Sequence, residues 1–256
     1  MLKGKKGIIF GIANDHSIAW GIGKKLKEYG AELAVTYQNE TLLKRVNPLA
    51  DKLNSELLIK CDFSIESDLD NCFQKISKKW DSIDFVVHAV AYSDKEELNG
   101  RYINTTKDNF IKTLNISCYS FTKIAYLSSS LMKNGGSLIT LTFHGSNKVM
   151  PCYNVMGVAK AALETSVKYL SVDLGEKNIR VNAISAGPMR TLSGAVIGKS
   201  RAVYNYTKDN SPLKRNAELN EIGSTAAYLV SEMSRSITGE IHYVDCGYNI
   251  IGMANL

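Results

Sequence analysis

Proline is scarce in this chain, with 4 in 256 residues, and no Pro- or Ser-rich stretch separates two halves. This argues against a disordered or fibrous protein and against two domains joined by a linker. Cysteine is also sparse. Cys61, Cys72, Cys118, Cys152 and Cys246 are odd in number and none forms C-x-x-C, so no disulfide framework is expected and a reducing cytosol fits. The histidines, His16, His88, His144 and His242, are too dispersed to give a metal-ligand spacing. No apolar run is long enough to cross a bilayer, and Ile83–Ala91 is interrupted by polar residues. The first residues, Met-Leu-Lys-Gly-Lys-Lys-Gly, lead into neither a full apolar region nor a small-residue cleavage site, so no secretory signal is expected. No five basic residues are consecutive, which leaves a nucleic-acid-binding arm without support. The excess of cations is small: 31 Lys+Arg against 25 Asp+Glu, a net charge of +6. It reads as a Lys-rich solvated surface or as attraction for an acidic partner.

What is present is a regular alternation. With 45% hydrophobic residues, the chain can bury a sizeable core without metals or disulfides. Short apolar runs at Lys6–Phe10, Glu32–Tyr37, Leu57–Lys60, Phe85–Ala89, Ser137–Thr142, Arg180–Ile184 and Ile241–Val244 read as strands. Amphipathic segments lie between them. In Ile18–Tyr29, for example, Ile18, Ile22 and Leu26 fall at i, i+4 and i+8, and Gly30 follows at a suitable C′ position. This alternation predicts an α/β fold: one doubly wound, Rossmann-type parallel sheet of about seven strands, with helices on both faces. Ligands of such sheets bind beyond the strand C-termini, where the strand order reverses.

Residues that follow the strands are therefore the candidates. After the first strand, Gly11 permits a tight turn, Ser17 can cap the helix starting at Ile18, and Gly21 and Gly23 let that helix pack close to the sheet. A helix start of this kind seats a pyrophosphate. The pattern is not G-x-G-x-x-G, however, and a plain helix–sheet turn reads the same way. The second strand ends at Tyr37-Gln38, where dinucleotide folds often place an acid for the ribose 2′-hydroxyl. Gln38 can make that bond. No Arg stands at the strand end for a 2′-phosphate, and Lys44 and Arg45 come later, so NADH is favoured over NADPH. The third strand ends Cys61-Asp62-Phe63. Asp62 can meet an adenine amino group with Phe63 over the ring, or cap the next helix, or do both.

Tyr153 and Lys160 follow the fifth strand and are seven residues apart, two turns of helix on one face. An ammonium near a phenol favours the phenolate, and a positioned Tyr hydroxyl can stabilise an oxyanion or deliver a proton. Spacing alone does not separate a reacting pair from two residues that happen to share a face. Tyr119 and Lys123 show the hazard. They have the commoner dehydrogenase spacing but precede the fifth strand, where they cannot follow its C-terminal end.

With these motifs the chain resembles the NADH-linked bacterial enoyl-acyl-carrier-protein reductases of the short-chain dehydrogenase/reductase superfamily. The resemblance rests on Gly11-Ile12-Ala13 with Ser17-Ile18-Ala19-Trp20, Thr36-Tyr37-Gln38, Tyr153-Asn154-Val155-Met156-Gly157-x-x-Lys160, Arg180 to Pro188, and Gly239-Glu240 with Val244-Asp245-x-Gly247. These cover nearly the whole chain. The resemblance implies hydride transfer from NADH to the β-carbon of a trans-2-enoyl thioester on acyl carrier protein, during fatty-acid elongation. It assigns Tyr153 to the thioester carbonyl and Lys160 to the nicotinamide ribose. Gly11, Ser17 and Ile18 fall at the pyrophosphate, and Gln38, Asp62 and Phe63 at the adenosine. Val90 lines the cofactor, and Met189, Thr191 and Ser193 lie on its nicotinamide side. Residues 191–209 match a mobile substrate loop, in which Gly194 and Gly198 permit closure and Lys199 and Arg201 can meet an acidic carrier. Asn115 resembles the superfamily's helix asparagine and is given no catalytic role. A cytoplasmic homotetramer is implied, with no nucleic acid, membrane or metal involved.

Three departures stand out. Phe143 occupies the place of a family tyrosine, with His144 beside it. This leaves open a weakened enzyme or a cofactor-binding homologue, next to a related carbonyl reductase. Ser93 replaces a small alanine of the substrate pocket. Cys246 stands where glycine is commoner, so it either keeps a negative φ or tolerates strain.

Overall fold

The computed structural model describes residues 1–192, 194 and 197–254. Seven parallel strands form one sheet: β1 Lys6–Phe10, β2 Glu32–Tyr37, β3 Leu57–Lys60, β4 Phe85–His88, β5 Gly136–Thr142, β6 Ile179–Ala186 and β7 Ile241–Val244. Their order is β3-β2-β1-β4-β5-β6-β7. The order reverses between β1 and β4, so the loops after these two strands part and leave a crevice. The expected strands are all present. β6 extends two residues past Ile184, because Ser185 pairs with Thr142 and Ala186 with Val244.

The helices are α1 Ile18–Glu28, α2 Glu40–Lys52, α3 Glu66–Lys79, α4 Lys107–Leu114, α5 Ser120–Leu131, α6 Asn154–Gly175, α7 Ser200–Asn210 and α8 Leu219–Val230. Alternate strand residues point to opposite faces. Ile9, Leu33, Val35, Val87 and Ile139 pack with Ile22, Leu26, Leu49 and Ile222 of α1, α2 and α8. Ile8, Phe10, Ala34, Val86 and Leu138 pack with Phe73, Phe121, Leu163 and Val167 of α3, α5 and α6. Both faces are thus covered, as a parallel sheet requires.

One expectation about packing needs correction, and one alternative is resolved. Gly23 does lie against the sheet and α2: a Cβ there would sit 3.1 Å from Ile9 Cδ1 and 3.2 Å from Leu53 Cδ1. Gly21 instead faces α8, where a Cβ would come within 2.8 Å of the Leu219 Cβ and carbonyl oxygen. Two helices, rather than helix and sheet, set that requirement. Cys246 is left-handed at φ +58°, so the turn tolerates strain. Asp245 holds this turn, its carboxylate accepting from the amides of Gly247 at 3.0 Å and Asn249 at 2.8 Å.

Candidate active site

A cavity of about 450 Å³ opens in the crevice, lined by Gly11, Ser17, Ile18, Val90, Ser93, Phe143, Tyr153, Lys160, Met189 and Thr191 among others. These candidates come from four separate strand ends, those of β1, β4, β5 and β6, and converge on one space. Gln38, Asp62 and Phe63 are not in its lining and sit farther along the edge, at the ends of β2 and β3. Ser193 lies outside the described residues.

The β1–α1 turn is built for close approach. Gly11 has φ +102°, and a Cβ there would meet the Ala89 carbonyl oxygen of the loop after β4 at 2.1 Å. Ser17 holds the N-cap position, but its side chain does not cap the helix as expected. Its hydroxyl turns back and accepts from the Ala13 and Asn14 amides, each at 3.0 Å, while donating to Asn14 Oδ1. The serine therefore fixes the loop and leaves the first-turn amides unspent on a cap, which suits a pyrophosphate there.

At the far end Gln38 Nε2 donates to Asp62 Oδ2 at 3.2 Å. Asp62 also accepts from the Ser64 amide and hydroxyl. Burial opposes its charge, but the bonds from Ser64 and Gln38 win and hold its pKa below the ordinary value. It forms the turn ahead of α3 without capping that helix, whose N-cap position is Ile65. Phe63 lies edge-on to Phe10 at 5.6 Å and is half-buried.

Tyr153 precedes α6 at its N-cap position, with left-handed residues on both sides: Cys152 at φ +57° and Asn154 at φ +35°. Asn154 Nδ2 donates to the Glu97 carbonyl at 3.0 Å, which ties this turn to the 3-10 segment Lys95–Leu98. The Tyr153 ring meets Phe143 edge-on, centroids 5.3 Å apart. A Cβ on Gly145 would come within 2.5 Å of it. Lys160, one of the buried charged residues, donates from Nζ to the Leu141 carbonyl at 2.8 Å. Burial brings its pKa down to about 8, against the opposing pull of Cys118 and Glu164.

The expected lowering of the phenol pKa by this ammonium is not what the site produces. Burial first, and then the Glu164 carboxylate, push Tyr153 upward. The phenol is therefore a protonated donor through the physiological range. Glu164 went unnoticed in the sequence, and Thr142 and Asn154 were given no role there beyond a strand end and a motif position; the only signal for Glu164 was its place four residues after Lys160.

The remaining candidates divide clearly. Ser93 is buried and its Oγ accepts from Asn109 Nδ2 at 3.2 Å, so its hydroxyl is engaged. Gly198 packs tightly, a Cβ there falling 2.3 Å from Asn99 Oδ1 and 3.0 Å from Cys152 Sγ, while the left-handed φ belongs to Lys199. Tyr119 is exposed and Lys123 pairs with Asp70 at 3.0 Å, both outside the cavity lining. Asn115 is exposed, at the start of the π-turn Asn115–Tyr119. Among the described residues no group of His, Cys, Asp and Glu could hold a metal. No helix there is long and apolar enough to cross a membrane.

A doubly wound sheet with a phenol and an ammonium at its dinucleotide crevice defines a reductase of the short-chain type. A family model described as Enoyl-(Acyl carrier protein) reductase matches residues 11–249. The chain belongs to this family. It is 56% identical to the enoyl-[acyl-carrier-protein] reductase [NADH] 2 of Rhizobium meliloti over 256 residues, covering 100% of this chain and 96% of that one. The FabI crystal structure from Candidatus Liberibacter asiaticus superposes with TM-score 0.97 at 54% identity, covering 99% of this chain and 98% of that chain. The Anaplasma phagocytophilum enzyme in complex with NAD gives TM-score 0.96 at 54% identity, covering 100% and 97%.

Proposed function

We propose that the whole chain, residues 1–256, works as one NADH-dependent enoyl-acyl-carrier-protein reductase domain in fatty-acid elongation. The observation that carries this reading is the convergence of Tyr153 and Lys160, at Tyr-x6-Lys spacing, on the cavity that also holds the β1–α1 turn. When bound there, NADH supplies the hydride that reaches the β-carbon of the enoyl thioester. Tyr153, protonated and facing the cavity, donates a hydrogen bond to the thioester carbonyl as it gains enolate charge. Lys160, fixed by the Leu141 carbonyl, orients the nicotinamide ribose with its remaining donors. Gly11, Ser17 and Ile18 seat the pyrophosphate. Gln38, Asp62 and Phe63 hold the adenosine, Gln38 toward the ribose hydroxyl and the Asp62 carboxylate toward the adenine amino group, with no Arg beside them for a 2′-phosphate. Val90, Met189 and Thr191 bound the nicotinamide side, and Ser93 and Phe143 the acyl side.

The 191–209 segment, expected as a loop but helical from Ser200 on in α7, serves as the substrate-covering element, with exposed Lys199 and Arg201 toward an acidic carrier protein. A homotetramer would cover the exposed Tyr126 and Tyr169 of α5 and α6 and the late Tyr243 and Ile250. Five free cysteines suit a cytoplasmic setting.

Following NADH absorbance with crotonyl-CoA and then with a simple ketone tests the reading. Oxidation with the enoyl thioester alone supports it. Oxidation with the ketone alone points to a carbonyl reductase. NADH binding without turnover would favour a cofactor-binding homologue, the reading that Phe143 motivates.

A further inference from the structure

We propose that Glu164 is a positioning residue that keeps the Tyr153–Lys160 pair in its proton-donating state. The inference rests on the roles just given to Tyr153 and Lys160. Glu164 lies one helical turn past Lys160 on α6 and is 8% exposed. A carboxylate this deep requires partners, and the last residues of β5 supply one. Thr142 Oγ1 donates to Glu164 Oε1 at 2.6 Å, and Asn147 Nδ2 to Oε2 at 3.4 Å. The adjacent residue of the same strand, Leu141, takes the Lys160 ammonium through its carbonyl. One strand end thus grips the anion and the cation side by side, and Thr142 also lines the cavity.

The charge acts on both reacting groups in the same sense. It opposes the burial that would strip Lys160 of its proton, and it adds to the burial that keeps the proton on Tyr153. The other titratable groups around the pair are Cys118 in the π-turn and His88 on β4, beside Lys160, together with His144 after β5 and Tyr243 on β7, beside Glu164. Cys118 and Glu164 act in the same direction on Lys160. Of the groups around the pair, Glu164 also acts on Tyr153.

The test is the pH dependence of NADH affinity, read by fluorescence titration of the full-length protein from pH 6 to 9.5. Wild type should weaken above about pH 8 as Lys160 loses its proton. Glu164→Gln, which keeps the size and the acceptor for Thr142, should move that midpoint down by about one pH unit. At pH 8 it should bind several-fold more weakly, with the curves converging near pH 6. Glu164→Asp should restore most of the shift. A purely structural role would weaken binding equally at every pH. If Glu164→Gln does not fold, Thr142→Val, which frees the carboxylate without neutralising it, should move the midpoint the same way by less. An unshifted midpoint in the folded variant overturns the inference. Lys160→Met separates the two levels. If wild type has no alkaline limb, or Lys160→Met keeps one, the assignment of Lys160 fails. If the limb belongs to Lys160 but ignores Glu164, only the present inference fails.

Discussion

Tyr153 acts from a place where giving up its proton is costly, because burial and a nearby carboxylate both oppose the phenolate. Its usefulness therefore lies in donation. Tyr153→Phe should lower kcat with an enoyl thioester by about 10²–10³-fold, the scale of losing one oxyanion donor, while NADH binding is retained. Unchanged kcat would remove Tyr153 from its role. Phe143 touches the same ring edge-on, so the neighbour keeps the shape of a tyrosine without its hydroxyl. Phe143→Tyr should maintain or raise turnover. A large drop would show that the cavity wall has been rebuilt around the phenyl group. The roles of Tyr153 and Phe143 were legible from the motif and the resemblance, but the protonation of the phenol was not. The sequence placed the phenol and the ammonium on one helix, but the sign of the phenol's pKa depends on burial and on a carboxylate that hydrophobic periodicity does not mark.

At the level of elements, α1 is held between the sheet and α8, and its position fixes the turn that Gly11 and Ser17 shape. Gly21 and Gly223 make the α1–α8 crossing close: a Cβ on Gly223 would lie 2.7 Å from the Gly21 carbonyl oxygen. Gly21→Ala should cost about 1–3 kcal/mol of stability through overpacking against backbone, read as a lower urea midpoint. NADH affinity should fall with it if the helix start shifts. The partner of Gly21 lies some two hundred residues away, which is why local pattern assigned this glycine to the sheet. The strands, by contrast, were legible throughout, because each is a short, largely apolar run, and the central ones are buried on both faces while the edge strands β3 and β7 are only partly covered. Ser17 falls between the two cases. Its place at the helix start was readable from type and spacing, but the direction of its hydroxyl depended on the conformation of the preceding loop.

For the molecule as a whole, the centre of the sheet holds a histidine that must stay neutral. His88 is fully buried, with Nδ1 2.8 Å from Thr140 Oγ1 and Nε2 2.9 Å from Ser120 Oγ. Ser120 Oγ donates onward to the Ile116 carbonyl, which leaves it to accept from Nε2–H. Burial, with a smaller push from Lys160, brings the His88 pKa down to about 3 from 6.5. The unfolded chain therefore binds one more proton than the folded chain below about pH 6.5. The stability that comes from keeping this ring neutral is complete above that pH and is lost toward pH 3. The loss should be about 1.4 kcal/mol per pH unit. Urea unfolding of wild type and His88→Gln at several pH values should show a shallower acid slope in the variant by about that amount. Equal slopes would contradict it. The sequence registered His88 only as one of four scattered histidines, since nothing local says that a strand residue will face Ser120 and Thr140.

The two left-handed residues around Tyr153 bear on the spacing that marks this family. The phenol sits at the N-cap of α6, on a bend with left-handed residues on both sides, and the six residues that separate it from Lys160 are all helical. The bend therefore sets the direction of the ring, and regular helix sets its separation from the ammonium. One residue gained or lost between Cys152 and Asn154 would swing the ring out of the crevice while leaving the ammonium in place. Length variation near this site is therefore expected to fall before the bend, in the stretch from Asn147 to Met150.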